Sequence, residues 1–223
     1  MKGKGFLSVL FGLCLVLMVW ALYAIFVTVP TEKEMGIVQR IFYLMVPMGW
    51  LALLSFVVIF ICSIFYLKTR ERKWDILSYS AAELGLFATS ATLIVGATWA
   101  KAIWGVWWTW EARLTATLIL WLIYLAYFMV RSFAPDENRG AQYAAVVGIL
   151  GLIDIPIVAL ATTLWRGLHP PPLIFQGGLH PAMLATLLLS IAAFTALYVV
   201  LLIHRVSAKN SEIEIRQLKQ AEV

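Results

Sequence analysis

The sequence has few of the residues on which most enzymes rely for chemistry. It contains two cysteines, Cys14 and Cys62, in separate apolar runs, and no Cys-x-x-Cys or Cys-x-x-Cys-His motif. We therefore expect neither a thiol oxidoreductase nor a c-type cytochrome. It also lacks a Gly-x-x-x-x-Gly-Lys phosphate loop, a nucleophile elbow and a His-Glu-x-x-His zinc motif. These absences predict a protein with no enzyme site of its own and no site for ATP.

Charged residues are also scarce, at 13% of 223 residues, whereas 62% are hydrophobic and the mean hydropathy is +0.89. Such a composition predicts an integral membrane protein. An apolar run of about twenty residues can cross a hydrocarbon core of roughly 30 Å as a helix. Six such runs are present, at about 6–28, 41–66, 80–100, 114–131, 141–164 and 182–204. They lack the period-two alternation of a barrel, so we predict an all-α membrane domain of six transmembrane helices over 1–223, with a tail at 205–223.

The basic residues are distributed unevenly over this six-span pattern. Twelve of the seventeen fall on one side: Lys2, Lys4, Lys68, Arg70, Arg72, Lys73, Arg131, Arg139, Arg205, Lys209, Arg216 and Lys219. The positive-inside rule assigns that side to the cytoplasm, together with both termini. The loops around 29–40 and 165–181 and the segment between the third and fourth runs then face outward. Topology thus explains the net charge of +5, and no basic-aromatic tract indicates nucleic-acid binding.

A tryptophan cluster between the third and fourth runs is the most distinctive feature. Five of the ten tryptophans lie in twelve residues, Trp99-Ala-Lys-Ala-Ile-Trp-Gly-Val-Trp-Trp-Thr-Trp110. One or two interfacial tryptophans anchor helices, but five so close together, with Lys101 among them and Arg113 just after them, favour a platform for a flat, apolar, partly charged ligand. If the segment is helical, one face carries Trp104, Trp107, Trp108 and Glu111.

The run Trp99-Ala-Lys101, then Trp104-Gly-x-Trp107-Trp108-x-Trp110-Glu111-Ala-Arg113-Leu-Thr, resembles the tryptophan-rich signature of the haem-handling proteins of cytochrome c maturation. Within that group it is most similar to the family of cytochrome c maturation protein C, from about Gly36 to about Leu201. The resemblance implies a multi-pass protein of the bacterial inner membrane that presents non-covalent haem b at the outer face for cytochrome c biogenesis. It also implies four partners: a membrane-anchored haem chaperone, an ATP-driven export complex, a second membrane subunit and a very small membrane protein.

Histidines are scarce as well, and three are present. An imidazole that faces an aromatic shelf is suited to bind haem iron. By the resemblance, the main ligand is His169, which lies in an outer loop in the context Trp165-x-x-Leu-His169. His204, at the inner end of the last span, needs only an interfacial or helix-dipole role.

The second axial ligand is where the sequence departs from this family. Its other histidine corresponds to Met45, in the run Arg-Ile-Phe-Tyr-Leu-Met45-Val-Pro. A thioether can ligate haem iron and raises its reduction potential. Either Met45 is the second ligand, or it only packs and His180 or a water takes the position.

The candidate haem-binding residues are therefore expected on one side of the membrane: Trp104, Trp107, Trp108, Trp110, Glu111, Arg113, Lys101, His169, Met45 and His180. The resemblance implies that the tryptophans contact the macrocycle and that Arg113 or Lys101 binds its propionates. Glu111 occupies the position of the family's usual aspartate and preserves its charge.

Two carboxylic acids inside the predicted spans support different functions. Ionisable groups at membrane depth are often functional. Glu83, near the inner end of the third span, either snorkels to the interface or is functional; Asp154 is deeper, and Pro156 is expected to kink the fifth span. One alternative is a small secondary transporter or channel for an organic anion, with these acids as a proton relay. Another is a structural subunit that scaffolds a haem lyase.

The predicted orientation can be tested by labelling single introduced cysteines with a membrane-impermeant maleimide. Cysteines at positions 105 and 172 should react from outside, whereas those at 70, 135 and 215 should react only after the membrane is permeabilised. Labelling of position 105 from the cytoplasm would overturn the orientation, and with it an outward-facing site.

Overall fold

Seven α-helices are present in the part of the chain that the computed structural model describes, residues 2–165, Gly167, His169 and 179–221. The helices are α1 Lys2–Tyr23, α2 Phe42–Thr69, α3 Arg72–Trp104, α4 Ala112–Ser132, α5 Glu137–Leu150, α6 Asp154–Leu164 and α7 Pro181–Ala221. Short π and 3-10 segments lie at Ala24–Thr28, Ile37–Ile41 and Gly151–Ile153. Of the predicted outer loop at 165–181, positions 166, 168 and 170–178 lie outside the described residues.

The helices provide six segments that are long and apolar enough to cross a membrane, which confirms the predicted fold class. These segments are Leu7–Thr28, Ile37–Thr69, Arg72–Trp104, Ala112–Ser132, Glu137–Leu164 and Pro181–Lys219. The outward faces are apolar, with Phe87 and Leu150 among many exposed side chains, as lipid requires. Two helices extend well beyond the predicted runs: α3 starts at Arg72 rather than near 80, and α7 continues to Ala221. Charged helix-forming residues extend a helix past the apolar stretch that hydropathy detects.

The fifth span is divided, as Pro156 predicted. Its two helices, α5 and α6, are separated by the 3-10 turn Gly151–Ile153. Proline has no N–H for the helical hydrogen bond and its ring crowds the preceding turn. Asp154, the first residue of α6, is buried, and its Oδ2 has no hydrogen-bond partner among the described residues.

Close packing fixes α3, the helix that leads to the tryptophan cluster. α3 lies along α2, and Tyr124 of α4 reaches between them to donate a hydrogen bond to the Ala52 carbonyl at 2.7 Å. A Cβ at Gly85 would collide with the Tyr124 ring and hydroxyl. Between α3 and α4, the hydroxyl groups of Ser78 and Tyr127 also form a hydrogen bond of 2.9 Å. These contacts hold α3 and α4 in one register, and hence the segment between them.

Glu83 forms an ion pair across the bundle rather than reaching the interface alone. Arg205 of α7 donates from Nε and a terminal nitrogen to the two Glu83 oxygens, at 2.5 and 2.9 Å. Its neighbour His204 is exposed and lies well inside α7. The helix-dipole role that the sequence suggested for His204 is therefore wrong, because the helix does not end there.

Candidate functional site

The tryptophan cluster begins where α3 ends. Gly105, with a φ of 74°, has the left-handed conformation that closes many helices. Its N–H donates to the Lys101 carbonyl at 3.2 Å, and the Lys101 ammonium donates to the Gly105 carbonyl at 2.8 Å. Lys101, predicted as a propionate ligand, is thus engaged in capping α3.

The expected helical face of the tryptophan cluster is wrong. Residues 105–111 are not helical, and α4 starts only at Ala112. The reason is local: the left-handed glycine ends the helix directly after Trp104. Of the four residues of the predicted face, Trp104 therefore lies at the end of α3. The other three lie in the irregular segment that follows: Trp107, Trp108 and Glu111.

His169 and Glu111 form the centre of the site. The imidazole Nδ1 hydrogen-bonds to Glu111 Oε1, and the backbone N–H of His169 donates to Glu111 Oε2 at 3.2 Å. Their side chains are only 14% and 10% exposed. Glu111 also directly precedes α4, whose N-terminal dipole favours the carboxylate. One carboxylate thus holds both the ring and the backbone of His169.

Gly167 allows this close approach. A Cβ at that position would lie 2.5 Å from Glu111 Oε2, which is shorter than any ordinary contact. A methyl group at this position would have to displace the Glu111 carboxylate from its place against His169. Sequence reasoning did not select Gly167, because its need for space arises from a contact with a residue far away in the chain.

Two indoles surround the His169 ring. The Trp104 ring centroid lies 5.0 Å from that of His169 in an edge-to-face arrangement, and the Trp99 centroid lies 6.3 Å away. Trp99 and Trp104 also pack edge to face, at 5.0 Å. Trp99 is only 5% exposed and was not among the predicted binding residues, although it begins the motif. Its role is to pack beneath the histidine.

Burial lowers the pKa of His169 from its ordinary value, an effect that Glu111 opposes and Arg113 reinforces. The imidazole is therefore neutral at neutral pH. In a neutral imidazole that donates Nδ1–H to a carboxylate, the lone pair is on Nε2. The arrangement can thus offer Nε2 to a metal centre.

The other tryptophans lie in the irregular segment that precedes Glu111. Trp107 is 59% and Trp110 77% exposed, and Trp108 packs edge to face on Trp110 at 5.7 Å. The cavity beside Glu111 and His169 has a volume of about 10 Å³, room for roughly one water. Among the described residues, this cavity is too small to enclose a haem, whereas Trp107 and Trp110 present exposed aromatic surface.

The remaining predicted residues lie in different surroundings. Arg113 lines the small cavity beside His169. Met45 packs on α3, with its sulfur 3.6 Å from where a Cβ on Gly96 would lie, one turn before Trp99. His180 is exposed, and its Nδ1 accepts the Ala182 N–H at 3.3 Å at the start of α7.

Comparison with known proteins identifies the family. The profile described as Heme exporter protein C matches residues 3–221. The chain belongs to the Heme exporter protein C family.

Among its relatives, a putative cytochrome c biosynthesis ccmC-like mitochondrial protein of Marchantia polymorpha is 35% identical over 189 residues, 84% of this chain and 80% of that protein. Heme exporter protein C of Bradyrhizobium diazoefficiens is 32% identical over 87% of this chain and 74% of its own length. The protein of that name from Escherichia coli K12 is 27% identical, over 79% and 72%.

Membership of the Heme exporter protein C family confirms the resemblance found in the motif. It supports a membrane transport-type protein that handles haem in cytochrome c biogenesis. The site described above is consequently a candidate for contact with haem as cargo.

The close approach of Gly167 to the Glu111 carboxylate predicts the effect of Gly167→Ala. The added methyl group should push the Glu111 carboxylate aside and weaken the His169–Glu111 hydrogen bond, so His169 should react several-fold faster with diethylpyrocarbonate. Modification is read by mass spectrometry, with exposed His180 as the internal reference. Gly12→Ala, where a Cβ meets nothing within 4 Å, is the matched control. An unchanged His169 rate would contradict the proposed close contact.

Proposed function

We propose that this protein binds haem b non-covalently on its tryptophan surface, with His169 as the iron ligand, and presents it for transfer. The observation that carries the proposal is the buried hydrogen bond between His169 Nδ1 and Glu111. It fixes the tautomer that has its lone pair on Nε2, the form in which an imidazole ligates haem iron.

Glu111 has two effects on the proposed ligand. A carboxylate that accepts the Nδ1–H orients the ring and makes the imidazole a more basic ligand. Burial keeps the pKa of His169 below its ordinary value, so that protons compete poorly for the same nitrogen. Together these effects give an oriented, neutral ligand in a site that is otherwise open.

Among the described residues, the lack of a haem-sized cavity beside His169 supports transfer rather than permanent retention. Binding sites for small molecules commonly enclose most of the ligand, whereas the cavity beside His169 holds roughly one water. A macrocycle laid on Trp107 and Trp110 keeps one face and an edge accessible. Arg113 lines the same small cavity as His169, which supports it as the cation that pairs with a propionate.

The proposal includes a direction and a set of partners. The excess of basic residues at the opposite end of the bundle supports an orientation in which the tryptophan surface faces away from the cytoplasm, and the proposed membrane is a bacterial inner membrane. A membrane-anchored haem chaperone would take the cargo there. ATP-driven export subunits, a second membrane subunit and a very small membrane protein would complete the system, since the sequence holds no phosphate loop.

The alternative of an organic-anion transporter is less well supported. Its proton relay requires Glu83 and Asp154, and Glu83 is engaged in a two-point ion pair with Arg205. Asp154 retains an oxygen without a partner in the described part of the chain, which is the one observation in favour of this alternative.

The proposed ligand predicts the behaviour of His169→Ala. Purified in detergent and in nanodiscs, this variant should lose most of the bound haem, whereas His204→Ala, an exposed site on α7, should retain it. Glu111→Gln should retain more haem than His169→Ala and raise the midpoint potential, because the amide is a weaker acceptor. Haem content is measured from the Soret band.

The lowered pKa of His169 also sets a pH dependence. Protonation displaces the ligand only below that pKa, so ligation should persist as pH falls to about 6.5, the pKa of free imidazole side chains, and be lost at lower pH. Equal haem content in His169→Ala and the wild type would overturn the assignment.

Spectra of variants can decide whether Met45 or His180 occupies the second axial position. If the Met45 sulfur binds iron, ferric protein should show the weak near-infrared charge-transfer band of methionine ligation, and Met45→His should lower the midpoint potential. If His180 is the ligand, Met45→Leu should leave the spectrum unchanged and His180→Ala should alter it. Unchanged spectra in Met45→Leu and His180→Ala would exclude both side chains and leave the position open or occupied by water.

A further inference from the structure

A second cavity lies at the end of the bundle opposite to the tryptophan surface. Its volume is about 410 Å³, within the usual range for small-molecule sites. The ends of α2 and α4, the starts of α3 and α5 and the distal part of α7 surround it. Five cationic side chains line it: Arg70, Arg72, Arg131, Lys209 and Arg216.

The cavity has more positive than negative groups. Its three carboxylates are Asp75, Glu137 and Glu212. Glu137 is shared by two guanidinium groups, since Arg72 and Arg216 each donate to it at 3.1 Å. An excess of two positive charges therefore remains among the lining residues, in a concave site.

The deep wall of the cavity is ordered by contacts of its own. Arg131 donates two hydrogen bonds to Asp75, at 2.6 and 2.9 Å, and both side chains are largely buried. The Tyr79 ring lies 5.1 Å from the Arg131 guanidinium and 4.4 Å from the Lys209 ammonium. Such cation–π contacts hold both charges in place.

Membrane topology alone does not account for this arrangement. The positive-inside rule requires basic residues near this end, and separate, solvated side chains such as Lys68 would satisfy it. Here cations from three helices and the α2–α3 connection converge on one cavity, and two of them share a carboxylate. The three lining carboxylates pair with four of these cations, and the two positive charges in excess still repel each other in the absence of a further counter-charge.

We propose that this cavity binds the phosphate of an anionic ligand, for which an anionic phospholipid headgroup is the nearest source. Guanidinium groups match phosphate oxygens with paired hydrogen bonds. The volume accommodates a glycerophosphate headgroup, and the cavity lies where the spans end. Basic pockets between transmembrane helices on the cytoplasmic side recognise such headgroups. The proposal is independent of haem binding.

The test measures the affinity of the full-length protein for phosphatidylglycerol by native mass spectrometry in a defined detergent. Arg72→Gln combined with Arg216→Gln should weaken binding by about tenfold, because two charges near the phosphate are lost. The matched control, Lys68→Gln with Arg139→Gln, removes the same charge from exposed sites at the same end but outside the lining. It should change the affinity less than about twofold.

A variant that gains affinity separates the site from a folding defect. Glu137→Gln removes the carboxylate that occupies Arg72 and Arg216, so phosphatidylglycerol should bind several-fold more tightly. Equal losses in the two double variants, or no gain in Glu137→Gln, would overturn the proposal.

Inorganic phosphate and glycerophosphate, added alone, distinguish the source of the ligand. If they bind with the same dependence on the variants and displace the lipid, the site is one for soluble phosphates. If phosphatidylglycerol alone binds with that dependence, the site is one for a lipid headgroup.

Discussion

The hydrogen bond between His169 and Glu111 is the interaction on which the arrangement of the candidate site depends. It joins the segment before α7 to the start of α4, 58 residues earlier in the chain. Both side chains are largely removed from water, so either one left alone would carry the cost of an unpaired buried polar group. The neighbouring features follow from this bond: Gly167 leaves room for it, and Trp99 and Trp104 pack around the ring that it orients.

The membrane explains why this site lies at the end of the bundle. Lipid-exposed backbone must satisfy its hydrogen bonds within a helix, and an irregular segment such as 105–111 therefore belongs at the level where the spans end. Tryptophan suits the same level, because its ring is apolar and its N–H is polar. The cluster thus suits the membrane interface, and in the proposed function it also provides the ligand surface. Its two halves differ: Trp99 is enclosed, whereas Trp110 is exposed.

Sequence analysis predicted the features that depend on local composition. Six apolar runs became six spans, Pro156 divided the fifth, and the motif around Trp104 identified the family. Sequence analysis failed for features that depend on a tertiary contact or on the backbone conformation of a single residue. Gly105 turns into the left-handed region and ends the predicted helical face, and Glu83 finds Arg205 122 residues away. Neither outcome has a periodic signal: the first depends on the backbone conformation of one residue, and the second on which helices become neighbours.

The two departures of this chain from its family's motif bear on the same iron atom in the proposed function. Glutamate in place of aspartate still reaches His169, and so preserves an oriented and basic ligand on one side. Methionine in place of histidine at position 45 offers a thioether, which favours ferrous iron relative to a second imidazole. A carrier must capture its cargo and then release it to a partner. Every protein side chain that binds the iron firmly slows the release of the haem. One firmly oriented imidazole, opposite a softer or absent ligand and on an open aromatic surface, meets both requirements.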